Sequence, residues 1–416
     1  MNTCRGLFKR LSMTEKLIWF FTLTFFCSFT IFEQYSWGRY VLLGVTFIIA
    51  IFSVFNGKNR YNYVISSFHY HCIAFIAFTL MSATWGMNFN DSIGKAVTLI
   101  EILFCLFFVN NYFYYRDDGA YQLLSIVKWA SYIISIYSLL FYGIEYILEM
   151  VENGARIGNE YTNINTIGML AAIGITIQID QIFANKRFML SALFCAPSFY
   201  MLIATQSRKA FVMLIGGVVL SAILRNVDSK NGLKTALRIV LIALGSYLLI
   251  RQVLKLPIFG AILNRIDKLV AAITGEGDID HSTMVRKTMI EIGMKQFKKT
   301  PILGIGIGCS HLIVKPVLGL DTYLHNNFVE LLACGGIVGT GIYYSFYLDI
   351  FYKFSKFRAI KDEALGTCLI LAVLLFAMDW GRVSLYSKST YFYFMLFFVE
   401  IGILKRRASS SSGRIS

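Results

Sequence analysis

Charge is scarce in this chain. Only 15% of its 416 residues are charged, whereas soluble domains carry roughly a quarter. That excludes an ordinary solvated surface over most of the length. Proline is scarcer still, with four residues in all, which excludes a loop-rich or proline-linked architecture. Eight cysteines are present, but no spacing pairs them into a disulfide framework or a zinc site. Cys27, Cys72, Cys105, Cys195, Cys334 and Cys368 lie in apolar runs, Cys4 lies near the N-terminus, and Cys309 stands alone in a polar insert. No internal repeat is visible, and no short alternating pattern of the kind a β-barrel needs. No Ser-His-Asp arrangement is recognisable, and GIGIG at 304–308 lacks the strand context of a dinucleotide fold.

What is abundant is apolar surface. The chain is 56% hydrophobic, has a mean hydropathy of +0.61 and contains 36 phenylalanines. A transmembrane helix needs ~20 mostly apolar residues, and in lipid the backbone must satisfy its own hydrogen bonds. The expectation is an all-α polytopic membrane protein, one integral membrane domain over 1–416. About twelve helices are expected, near 16–32, 40–56, 64–84, 95–113, 122–149, 164–184, 188–206, 210–224, 239–256, 326–352, 365–380 and 390–404. The first apolar run follows a basic N-terminus without a small-residue cleavage site, so it reads as a retained helix.

The formal charge of +15 does not point to nucleic acid. The basic residues punctuate the apolar runs, as a topology signal and a contact for anionic lipid would. Placing the N-terminus in the cytoplasm puts most of them on that side: Arg5, Lys9, Arg10 and Lys16, then Lys58, Arg60, Arg116, Lys186, Arg187, Arg225, Lys230, Lys234, Arg238, Lys353, Lys356, Arg358 and Lys361, and finally Lys405, Arg406, Arg407 and Arg414. The short loops opposite carry only Arg39, Lys95, Arg156, Arg208, Lys209, Arg382 and Lys388. Both termini are then cytoplasmic. The long insert 257–325, with short helices of its own, faces the extracytoplasmic side. No ATP is available there, so chemistry must use a substrate that already carries its leaving group.

The exceptions to the charge rule are the candidate site residues. In ATQSRKAF, Arg208 and Lys209 sit in a tight turn between apolar runs, either as interfacial anchors or as an anion site, since guanidinium matches phosphate oxygens bidentately. In ARIGNEYTNIN, Arg156 lies in a polar loop. Asn165 is either a plain N-cap or an amide offered to a sugar hydroxyl. MVRKTMIEIGMKQFKKTP (284–301) reads as an amphipathic helix that Pro301 stops. It either lies on lipid headgroups or turns Arg286 and Lys287 inward. His325 precedes Asn326 and Asn327 at the mouth of a helix that carries Glu330 inside the membrane. An intramembrane carboxylate is costly and marks a functional site by default. Imidazole titrates near neutral pH and serves as a general base. His69 and His71 read as structural, and His281 and His311 as weaker alternatives to His325.

Together, TQSRKAF, ARIGNEYTNIN and the late insert running through KTPILGIGIG to LHNNFVELLACGGIVG resemble the O-antigen ligase/polymerase superfamily of bacterial surface-polysaccharide enzymes. The likeness covers most of the chain in topology and mainly 150–210 and 280–340 in motif. It implies a bacterial inner-membrane glycosyltransferase without metal or cofactor. The donor would be an undecaprenyl-diphosphate-linked glycan, the acceptor a second glycan, and a flippase and a chain-length regulator would be partners. It further implies that Arg208 and Arg286 hold the diphosphate, that His325 activates the acceptor hydroxyl, and that Arg156 contributes to binding. Lys209, Asn165, Lys287, Asn326 and Glu330 complete the expected substrate-binding set. The form HNNFVELLACGGIVG favours polymerase over ligase. A flippase, which should show repeated halves, and a non-enzymatic scaffold are the competing classes.

Overall fold

The computed structural model describes residues 11–31, 37–55, 63–153, 155, 157–158, 162–185, 193–226, 281–358, 360 and 362–412. The expected helix at 239–256, residues 257–280 of the long insert, and Arg156 lie outside the described residues. Among the described residues there are fourteen helices and no strand. In chain order they are α1 (Met13–Ile31), α2 (Gly38–Phe55), α3 (Ser67–Ser82), α4 (Phe89–Tyr114), α5 (Gly119–Tyr142), α6 (Ile144–Glu152) and α7 (Ile164–Asn185). There follow α8 (Ala196–Thr205), α9 (Arg208–Asn226), α10 (His281–Lys299), α11 (His311–Leu318), α12 (Asn327–Phe357), α13 (Glu363–Met378) and α14 (Lys388–Ser412). Four of them, α4, α5, α7 and α12, are both long and apolar enough to cross a membrane.

Some boundaries differ from the sequence expectation for physical reasons. The run expected as one helix at 122–149 breaks at Gly143, whose φ of 79° no right-handed helix accommodates. The run at 188–206 yields a described helix of ten residues that starts at Ala196 with Pro197 in its first turn. α4 starts earlier than expected because Asn88 caps it, its Oδ1 accepting from the Asn90 and Asp91 backbone N–H at 2.9 and 3.4 Å.

The chain folds as two compact units, residues 1–52, 121–276 and 361–374 in one and 53–120, 277–360 and 375–416 in the other. In the first unit, α7 packs on α8 and α9. A side chain at Gly217 would run into Thr176, so the two helices meet closely. Inside this apolar packing lies one ion pair. Arg225 donates through Nε and Nη2 to both oxygens of Asp180, at 2.9 and 2.6 Å, and Nη2 also donates to the Glu363 carbonyl at 2.9 Å. The Thr367 hydroxyl donates to the same carboxylate at 2.5 Å. Losing one partner of such a pair costs ~3–5 kcal/mol, because the other charge stays buried.

In the second unit, α12 is central and packs against α3, α10 and α14. Aromatic rings fill the seam with α14, where Phe346 stacks on Phe394 with centroids 4.6 Å apart. α12 is not continuous. Gly336 sits at φ 59°, and a Cβ there would lie 2.3 Å from the Ile302 carbonyl oxygen. The break frees the carbonyls of Ala333 and Cys334, which accept from the N–H groups of Ile305 and Gly306 at 3.1 and 2.9 Å. Beyond it, Ile337 and Val338 donate to the carbonyls of Pro301 and Ile302. The glycine bend after α10 is thereby stitched into the break in α12.

Candidate active site

The glycine bend is saturated by the protein itself. Gly304 N–H donates to Thr300 O, Ile305 to Ala333 O, Gly306 to Cys334 O, Ile307 to Ser82 Oγ and Gly308 to Tyr386 Oη, all between 2.9 and 3.1 Å. A phosphate loop works by presenting such donors to its anion; here none of the five is available. Glycine is required at 306 because φ is 99° and a Cβ would lie 2.7 Å from the Gly86 Cα. The bend is a scaffold that delivers Ser310 and His311.

Glu330 is the hub of the second unit. It is fully buried in α12. Its Oε1 accepts from Ser310 Oγ at 2.6 Å and Tyr386 Oη at 3.0 Å, and its Oε2 accepts from the Leu324 N–H at 2.9 Å. Tyr386 in turn accepts from Gly308 N, and Lys95 Nζ lies 4.5 Å over its ring. Burial and the Glu330 charge hold the Tyr386 phenol well above its ordinary range. One carboxylate thus joins the glycine bend, the loop after α13 and the backbone N–H of Leu324, the residue before His325.

His325 stands at that junction in an unusual backbone state. Its φ is 56°, in the left-handed region, where a residue with a Cβ is uncommon and costs of order 1–3 kcal/mol. The ring is half-buried and packs on Tyr323 with centroids 4.5 Å apart. The next residue, Asn326, caps α12 by accepting from Val329 N at 3.1 Å. Its Nδ2 is then buried without a partner among the described residues. Asn327 anchors the loop after α13: its Oδ1 accepts from Ser384 N and Leu385 N, and its Nδ2 donates to Asp379 Oδ2. The structure therefore surrounds His325 with fixed groups on both sides in sequence.

α10 brings Arg286 to the same unit. Its Val285–Met289–Gly293 face packs on Leu324, Val329 and Ala333. A Cβ at Gly293 would lie 2.4 Å from Val329 and 2.7 Å from Leu324, so α10 lies directly against the residue before His325. Arg286 is seven positions earlier, which on a helix is the same face about 10 Å along the axis. Arg286 is half-buried on that face, whereas Lys287 is exposed off it.

The remaining candidates belong to the first unit. Gln206 takes φ 45° at the end of α8, and its Nε2 donates to the Ala155 carbonyl at 2.7 Å. Ser207 Oγ donates to Asn165 Oδ1 at 3.1 Å. Asn163, not Asn165, caps α7, accepting from the Asn165 N–H at 2.9 Å and from its Nδ2 at 3.2 Å; the Asn165 Oδ1 turns to Ser207. Arg208 and Lys209 open α9 and are half-buried. The start of a helix favours anions and disfavours cations.

Sequence reasoning missed Ser310, Tyr386, Lys95 and Asp379. Asp379 ends an apolar run, which is a visible signal. Burial raises its carboxyl to about 6, partly offset by Arg382. Among the described residues no group of three or more His, Cys, Asp or Glu could hold a metal ion.

This is a helical membrane protein in which a buried carboxylate, Glu330, gathers hydrogen bonds one residue from a half-buried histidine, beside an arginine-bearing helix. Residues 193–344, which hold Arg208, Arg286 and His325, match the family described as O-antigen ligase. That match supports the likeness to the O-antigen ligase/polymerase superfamily, whose members are glycosyltransferase-like enzymes acting on lipid-linked glycans. No curated protein matches the chain.

Proposed function

We propose that the chain is a polymerase of the bacterial cytoplasmic membrane, joining undecaprenyl-diphosphate-linked repeat units on the extracytoplasmic face. The observation that carries this reading is His325 itself. It lies inside the matched region, is held in a strained backbone state by Glu330, and sits beside the helix that presents Arg286.

The acceptor sugar hydroxyl attacks the anomeric carbon of the donor. A C–O bond forms there, the bond to the diphosphate oxygen breaks, and His325 takes the hydroxyl proton. General base catalysis of this kind contributes ~10²–10⁴-fold. Charge grows on the leaving diphosphate, and preorganised guanidinium groups stabilise it. Arg286 supplies one such group; Arg208, with Lys209 and the start of α9, is assigned to the diphosphate by the family resemblance. Arg156 keeps its role in glycan binding on the same ground. Asn165 and the unpartnered Asn326 amide are donors for sugar hydroxyls, and Lys287 attracts the anionic donor from α10. Glu330 holds the Leu324 N–H, one residue before His325. A single displacement inverts the anomeric centre, and no metal or nucleotide is required.

Polymer formation from purified lipid-linked repeat unit tests this, with His325→Ala as the control. The expected result is a glycan ladder that the variant does not make; a ladder of wild-type intensity from the variant removes the assignment. The family description favours a ligase as the second reading. A deletion strain separates the two: single-repeat glycan on the lipid core marks a lost polymerase, and free lipid-linked polymer marks a lost ligase.

A further inference from the structure

The segment that carries His325 is fastened at a second place. His311 opens α11, and both of its ring nitrogens face carboxylates. Nε2 lies 2.8 Å from Asp91 Oδ2 in the first turn of α4, and Nδ1 lies 3.0 Å from Asp321 Oδ1, four residues before His325. Asp321 also accepts from Lys315 Nζ at 2.8 Å. Asp91 is fixed by the Asn88 cap. The backbone turns at Gly319, φ 69°, and returns to Leu324, which Glu330 holds by its N–H. The strap from 311 to 325 is therefore closed by two clasps, one at its middle and one at its end.

The two clasps differ in chemistry. A carboxylate accepts only, so two carboxylates on one imidazole require a donor at each nitrogen. Only the doubly protonated ring supplies both. The neutral ring keeps one N–H and turns a lone pair towards the other carboxylate. Imidazole is the side chain that makes this change between pH 5 and 8. The other charged or titratable groups around the clasp are Lys95, Lys315 and Cys309, and only Lys315 has a direct hydrogen bond to Asp321. The carboxylates lie on opposite sides of the ring, so the three do not converge on a common ion.

We propose that His311 is a positioning residue: in its protonated form it ties Asp321 to Asp91 and so holds the strap that presents His325. This rests on the glycosyl-transfer reading only for its catalytic consequence. The strap itself can be measured without substrate.

The test is hydrogen exchange of the 319–325 amides in the full-length protein, corrected for intrinsic rates, from pH 5.5 to 9. Wild type should lose protection by up to about tenfold per pH unit once the ring deprotonates, as one linked proton requires. His311→Arg, which donates to both carboxylates at every pH, should keep protection flat. His311→Gln, with donors on one side only, should lack it throughout, and Asp91→Asn should weaken the pH dependence. In the transfer assay, His311→Arg should lose the alkaline fall in kcat with KM little changed. Exchange that ignores both pH and His311→Gln overturns the proposal. Exchange that behaves as stated in a protein without transfer activity leaves the clasp standing and removes the proposed function.

Discussion

Replacing Glu330 by Gln separates the two clasps most sharply. The wild-type carboxylate receives three strong donors, Ser310 Oγ, Tyr386 Oη and Leu324 N, and a weak one from the Cys334 thiol at 3.9 Å. Tyr386 already accepts from Gly308 N, so its own proton points to Glu330. An amide has one oxygen. If it takes the place of Oε1, its NH2 group confronts the Leu324 N–H. If it takes the place of Oε2, the NH2 confronts two hydroxyls. Either arrangement loses a charge-assisted hydrogen bond of roughly 1.5–3 kcal/mol and leaves a buried donor unmet at roughly 1–3 kcal/mol. The sum is on the order of 3 kcal/mol, or about 100-fold in the population of the native strap. A misplaced base costs about as much in rate. The expected result is a kcat reduced on the order of 100-fold, KM within a few-fold of wild type, and a lower melting temperature in detergent. The assay is polymer formed per minute by purified protein at saturating lipid-linked substrate. A variant with wild-type kcat would show that the Leu324 peptide does not need Glu330 to place His325.

Other substitutions probe separate links. Arg286→Lys and Arg208→Lys keep charge but lose the fork, so each should lower turnover at least tenfold if the site is bidentate; unchanged turnover in either removes that residue from the diphosphate. Gly306→Ala puts a Cβ 2.7 Å from the Gly86 Cα at a φ of 99°, and should destabilise by more than about 1 kcal/mol on backbone grounds alone; an unchanged melting temperature would contradict the packing of the bend. Asp379 has a carboxyl raised from 3.8 to about 6 by burial. Because the folded value is the higher one, its contribution is fully present below pH 3.8 and is lost as pH rises through about 6. The loss amounts to about 3 kcal/mol. Wild type should therefore lose stability relative to Asp379→Asn as pH rises from 3.8 to about 6, and parallel melting curves would refute it.

The helices and the candidate histidine were legible because their signals are local. Apolar runs mark α4, α5, α7 and α12, and a histidine before two asparagines at the start of a helix marks a mouth. The basic residues at 208 and 286 were visible as exceptions to a charge pattern. What the sequence hid are contacts between distant segments. Nothing near Glu330 shows that its partners are Ser310, Tyr386 and the peptide of Leu324. It was read as a substrate or proton partner, and the fold gives its oxygens to the protein. GIGIG reads locally as a glycine-lined bend, but its partner, the break at Gly336, lies thirty residues on. His311 ranked below His325 because no local pattern announces that Asp91, 220 residues earlier, meets its ring. Asn165 reads from the sequence as either a cap or a sugar-binding amide, and the structure gives the cap to Asn163.

The central claim is that this chain transfers a glycan from a lipid diphosphate by way of His325. Its most direct measurement follows polyprenyl diphosphate release by the purified protein, with the anomeric configuration of the new linkage read by NMR. The account predicts one diphosphate released per bond made, an inverted linkage, and loss of both in His325→Ala. Retention of configuration, or release that continues undiminished in the variant, would contradict it.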